Sequence, residues 1–94
     1  MKMNKVLVKL HVPLLEEVYD IWLPLNKKIS NVIILLVKAV NEFCGGYYKP
    51  EEMPLLYDKL TGREYNINST IKDANIRNGT EIILIWFFIK GQFF

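Results

Sequence analysis

Apolar and polar residues alternate from the first strand-like stretch onward. Val6, Val8, Leu10 and Val12 take one side, and Leu7, Lys9 and His11 the other. A period of two marks a strand with one buried face. A second alternating stretch, 17–23, puts Tyr19, Ile21 and Leu23 on one face and Asp20, Trp22 and Pro24 on the other. The linker Pro13-Leu14-Leu15-Glu16 has an apolar tip and no glycine, so it predicts a loop longer than a tight primed turn. The period then changes. Ile29, Val32, Ile33, Leu36, Val37, Val40 and Cys44 fall on one broad face at ~100° per residue, which predicts an amphipathic helix over about 29–44. Lys38, Asn41 and Glu42 lie opposite, while Ile34 and Leu35 also fall outside the buried arc. Asn26 and Ser30 are both candidate caps, and Gly45 supplies the left-handed residue that ends the helix.

Beyond the helix the pattern is shorter-ranged. Pro50 and Pro54 keep 49–54 a loop. Leu55-Leu56-Tyr57 predicts a third strand, Gly62 a turn needing positive φ, and 65–67 a short fourth strand. Residues 71–74 read as one helical turn capped by Ser69 or Thr70. Asn78-Gly79 launches a last strand. The first and last strands are the most apolar, as central strands of a helix-covered sheet should be.

Length and charge narrow the function classes. Ninety-four residues suit one domain spanning 1–94, with a core over about 5–86 and an apolar tail at 87–94. A net charge of +2 with scattered basic residues gives no reason to expect a nucleic-acid partner. The single Cys44 precludes an internal disulfide and fits a reducing compartment. The apolar run 82–89 has eight residues, far below the ~20 that span a bilayer. These features predict a soluble, cytoplasmic protein with no direct membrane span.

Reactive chemistry is sparse. His11 is the only histidine and lies on a strand, where a solvent-facing role is expected. Cys44 falls on the buried helix face, which predicts packing rather than nucleophilic work. One Cys and one His make too few ligands for a zinc site. Glu16-Glu17 and Glu51-Glu52 read as solvated loop charge, and Gly45-Gly46 follows no strand, so no phosphate loop is indicated. No catalytic, cofactor-binding or metal site is expected, and the chain is not expected to be an enzyme.

The order strand, strand, helix, strand, short strand, strand is that of a β-grasp domain. Two stretches resemble ubiquitin: Lys28-Ile29-Ser30-Asn31-Val32 at the helix start, and 69–76 followed by Asn78-Gly79 and the last strand. The resemblance covers about 6–86. It implies an α+β ubiquitin-like β-grasp fold, with a mixed four- to five-stranded sheet and one main helix packed on one face. The first and last strands should lie side by side and parallel. Ala74 stands where ubiquitin has a tyrosine, so a tyrosine-anchored loop is missing. The chain ends Lys90-Gly91-Gln92-Phe93-Phe94, without the terminal Gly-Gly of ubiquitin-type modifiers and sulfur carriers. Conjugation would therefore require C-terminal processing.

A small ubiquitin-like protein without that tail resembles the YukD/EsaB group, cytosolic accessory proteins of bacterial type VII secretion systems. The resemblance implies a protein partner, such as a membrane component or ATPase of the secretion machine, with a homodimer as the alternative. A cytosolic domain of a longer membrane protein is a further reading. By analogy with ubiquitin, Ile82, Leu84 and Trp86 should face the helix. Ile83, Ile85 and Phe87 should face away, with Leu56 beside them. The tail carries Phe87, Phe88, Ile89, Phe93 and Phe94, too much apolar surface to leave in water. The expected protein-binding set is Leu56, Ile83, Ile85, Phe87, Phe88, Phe93 and Phe94, with Leu35 on the exposed helix side.

Overall fold

The computed structural model describes residues 4–86. The elements are β1 (Lys5–Val12), a 3-10 turn (Pro13–Leu15), β2 (Glu17–Pro24), α1 (Ile29–Phe43), β3 (Leu55–Asp58) and β4 (Glu81–Ile85). The four strands form one mixed sheet in the order β2-β1-β4-β3. β1 pairs antiparallel with β2 and parallel with β4, and β3 pairs antiparallel with β4. The first and last of these strands are thus the central, parallel pair that the sequence predicts.

The alternation in β1 does what its period demands. Val6, Val8, Leu10 and Val12 are buried against α1, whose Ile29, Val32, Ile33, Leu36 and Val40 are also buried. Leu23, Leu56, Ile82 and Leu84 complete the sheet's contribution. The β1–β2 connection turns through Glu16 at φ 55, whose N–H donates to the Pro13 carbonyl at 3.0 Å.

Neither candidate side chain caps the helix. The N-cap is Lys28, with no side-chain hydrogen bond. The first helical N–H groups have no intrahelical acceptor and must find one elsewhere. Here the Ile29 N–H donates to the Ser69 carbonyl at 2.8 Å and the Ser30 N–H to the Ile67 carbonyl at 3.0 Å. The same loop donates in return, from Ile71 N–H to the Lys27 carbonyl at 3.1 Å. Residues 67–69 therefore act as a backbone cap that no local motif announces. Residues 71–75 form a turn rather than a helix, and Thr70 Oγ1 accepts from the Asp73 N–H at 3.0 Å, so Thr70 takes the predicted capping role. Ile71 and Ile76 anchor this segment in the core.

At its far end α1 stops as expected, with Gly45 at φ 77 and Gly46 at φ 98. Asn41 then redirects the chain. Its Oδ1 accepts from the Tyr48 N–H at 3.1 Å, and Tyr48 is buried beneath Trp86, ring centroids 5.8 Å apart and nearly perpendicular. The predicted fourth strand at 65–67 does not form. Residues 63–65 lie along β3 instead, through the Tyr65 N–H to the Leu56 carbonyl and the Asp58 N–H to the Arg63 carbonyl, both 2.9 Å.

Leu56 corrects an expectation. It is 1% exposed and sits on the helix side of the sheet, not on the open face. The register decides this: Leu56 pairs with the buried Leu84, and cross-strand partners share a face. Leu55 and Tyr57, paired with Ile85 and Ile83, take the open face instead. A strand phase wrong by one residue exchanges every side chain between faces.

Candidate interaction surface

The face of the sheet away from α1 is built from alternate residues of all four strands. One row runs Val18, His11, Ile83, Tyr57 across β2, β1, β4 and β3. Leu55 and Ile85 extend it on one side. On the other side come Asp20, Lys9 and Glu81, and beyond them Trp22 beside Leu7. Two apolar zones are therefore separated by a charged band.

The band is held by short polar contacts. Lys9 Nζ lies 3.1 Å from Asp20 Oδ1, and His11 Nε2 lies 2.7 Å from Glu81 Oε1. The hydrogen bond from His11 lowers the Glu81 pKa below the usual carboxylate value, and the nearby Lys59 and Lys9 charges act in the same direction. Both pairs lie at the surface, where exposed ion pairs contribute little to stability. They keep the middle of an open face polar while its flanks stay apolar. Val18 and Trp22 are about half exposed, at 51% and 49%, and Ile83, Ile85, Leu55 and Tyr57 are partly buried.

The expected binding residues are thus partly gathered. Ile83 and Ile85 lie together on this face, Leu56 lies in the core, and Phe87, Phe88, Phe93 and Phe94 fall outside the described residues. Leu35 is 47% exposed on α1, so the thickness of the sheet separates it from Ile83 and Ile85. Leu55, Tyr57, Val18 and Trp22 belong to the open face although the sequence reading did not single them out. The strand alternation already placed Trp22 opposite the Tyr19 face. The three consecutive apolar residues 55–57 have no alternation from which to read a phase.

A concavity of about 620 Å³ is lined by residues including Asp58, Thr61, Arg63, Tyr65 and Ser69. Its polar groups serve the turn itself. Asp58 accepts from the Thr61 N–H, the Thr61 hydroxyl and the Tyr65 hydroxyl at 3.0, 2.8 and 3.2 Å. The Thr61 hydroxyl bond, chief among these, holds the Asp58 pKa below its usual value. Burial and the Asp58 charge push the Tyr65 phenol up. Among the described residues no cluster of three or more His, Cys, Asp or Glu is placed to hold a metal ion, and no helix is long and apolar enough to cross a membrane.

Solved structures align with this chain over most of its length. The EccD5 ubiquitin-like domain from Mycobacterium xenopi aligns with a TM-score of 0.73 at 16% identity, over 90% of this chain and 97% of that one. This is a ubiquitin-like β-grasp fold. The ubiquitin-like domain of the Mycobacterium tuberculosis type VII secretion system protein ECCD1 aligns with a TM-score of 0.68 at 15% identity, over 88% of this chain and 99% of that one. A protein designed de novo on ubiquitin aligns at 0.63 and 18% identity, over 90% and 92%. No family model matches the chain, and no curated protein matches it by sequence. At these identities the likeness concerns the fold.

Proposed function

We propose that this chain is a non-catalytic protein-interaction module that serves a bacterial type VII secretion system from the cytosol, as an accessory component similar to the YukD/EsaB group. The observation that carries this reading is the full-length match to two EccD ubiquitin-like domains, which leaves little of either domain unaligned. A shared fold alone assigns no activity, so the site must carry the rest. The open face supports the reading. Its flank of Leu55, Tyr57, Ile83 and Ile85 gathers partly exposed apolar side chains from two paired strands. In the sequence, Ile85 is followed within nine residues by Phe87, Phe88, Phe93 and Phe94, an apolar composition that suits a binding role. The partner is a membrane component or ATPase of the secretion machine.

A photo-crosslinking residue at Ile83, in the native host, tests this directly. The expected product joins the chain to a secretion-system component, and Leu55→Asp abolishes it. Crosslinks only to proteins unrelated to secretion overturn the assignment. Crosslinking from Leu35 with none from Ile83 moves the binding surface to the helix.

A further inference from the structure

The two edges of the sheet are finished differently. At β3, a strand of four residues, the backbone of Arg63 and Tyr65 pairs with Asp58 and Leu56 and covers the edge. At β2, a strand of eight residues, no strand lies outside it among the described residues. A long bare edge is a template for pairing with another chain, and folded proteins normally blunt it.

The hydrogen bonds identify which groups of β2 are unspent. The Gly79 N–H donates to the Leu7 carbonyl at 2.8 Å, and the Lys9 N–H donates to the Thr80 carbonyl at 3.0 Å. Leu7 and Lys9 thus direct their main chain toward β4. The alternate residues of β1 then point toward β2, as the Leu25 N–H to Asn4 carbonyl bond of 2.8 Å requires. The register spends Glu17, Tyr19, Ile21 and Leu23 on β1. It leaves the N–H and C=O groups of Val18, Asp20 and Trp22 facing outward, and the side chains of Val18 and Trp22 half exposed beside them.

We propose that the β2 edge binds the β2 edge of a second copy, antiparallel about a twofold axis at Ile21, joining two sheets into one. The charge pattern selects this occupant. Glu16 precedes β2, Glu17 begins it, and Lys27 and Lys28 follow it, all four exposed and without an ion pair among the described residues. A strand acidic at one end and basic beyond the other is self-complementary only when antiparallel, as a twofold contact demands. Each acidic end then approaches the second copy's basic end.

The register follows from the side chains. Centring on Asp20 would set two carboxylates directly opposite each other, which is unfavourable. Centring on Trp22 would place Val18 opposite the second copy's Asn26, beyond its strand. Centring on Ile21 pairs Asp20 with the second copy's Trp22 in both directions, through exchanged N–H to C=O bonds. It also pairs Val18 with Pro24, where the Val18 N–H meets the Pro24 carbonyl and the missing proline N–H leaves only the Val18 carbonyl, at the strand end, to water.

The test uses sedimentation and amide exchange on the full chain. The wild type should dimerise with rising concentration, and the Val18, Asp20 and Trp22 amides should slow their exchange as it does. Asp20→Pro removes an outward N–H and the surface ion pair to Lys9 but no main-chain bond to β1, so it should fold and weaken the dimer at least tenfold. A charge exchange covers the case where that variant fails to fold. One variant carries Glu16→Lys and Glu17→Lys, and another carries Lys27→Glu and Lys28→Glu. Each should be a poorer dimer than the wild type, and their mixture should associate more tightly than either alone. A wild type that stays monomeric to millimolar concentration overturns the proposal. So does a mixture no tighter than its parents, or a folded Asp20→Pro variant with unchanged affinity.

Discussion

The two faces of the sheet are made from the same strands yet obey different rules. Toward α1, every large side chain of β1 and β4 is aliphatic and essentially buried: Val6, Val8, Leu10, Val12, Ile82 and Leu84. Toward solvent, the intervening residues mix Lys9, His11 and Glu81 with Leu7, Ile83 and Ile85. The first face is specified by volume, because a close-packed interior registers the loss of a single methylene. The second is specified by a pattern of polar and apolar zones that tolerates change without unfolding. Buried and solvent-facing positions therefore alternate residue by residue along one chain.

Adjacent leucines offer the sharpest way to break this contrast. Leu36→Ala and Leu56→Ala should each cost about 2–5 kcal/mol in chemical denaturation by opening a cavity. Leu35→Ala and Leu55→Ala, one position away, should each cost well under half of that, because both sites are already partly or largely in water. Equal losses within either pair would show that the two faces are not energetically distinct.

A smaller effect with the opposite sign is expected at Tyr48. Its hydroxyl is buried without a hydrogen-bond partner among the described residues, and burial pushes its pKa up to about 12. Tyr48→Phe should raise stability by roughly 1 kcal/mol, since an unsatisfied buried polar group carries a desolvation penalty. The raised pKa also sets an alkaline limit. The stabilising neutral form is fully present below about pH 10 and is lost as the pH rises toward 12. Tyr48→Phe should remove that alkaline loss in a pH-dependent melting series.

The smallest effect belongs to the carboxylates. Glu81 and Asp58 both have pKa values lowered in the folded state, by the His11 and Thr61 hydrogen bonds respectively. Their contribution is present above the unfolded carboxylate pKa and is lost as the pH falls through the lower folded value. Glu81→Gln with Asp58→Asn should flatten the acid limb of the stability profile and leave the neutral region nearly unchanged.

The architecture was readable from the sequence where a pattern ran long enough to have a phase. Eight residues of β1 and fifteen of α1 fix their buried sides unambiguously. Leu55-Leu56-Tyr57 is apolar throughout, so only pairing with Leu84 reveals that Leu56 faces inward. The helix start was illegible for another reason. Its cap is the backbone of 67–69, and main-chain carbonyls leave no mark on composition. Tyr48 escaped because it lies in an irregular segment between Gly46 and Pro50, where burial has no period. The half-exposed Val18 and Trp22 were visible as alternating residues, but nothing local says that their strand lies at an edge.

The parallel contact between β1 and β4 has a consequence in time. Leu7 N–H donates to Asn78 Oδ1 at 2.7 Å across a separation of 71 residues. Contacts of such sequence separation carry a large loop-closure cost and slow folding. During synthesis the hairpin of β1 and β2 and the helix emerge first, with the inner edge of β1 unpaired until residues 79–83 are made. The nascent chain must therefore wait with the inner edge of β1 open, and a chaperone that shields apolar strands has its clearest opportunity in that interval.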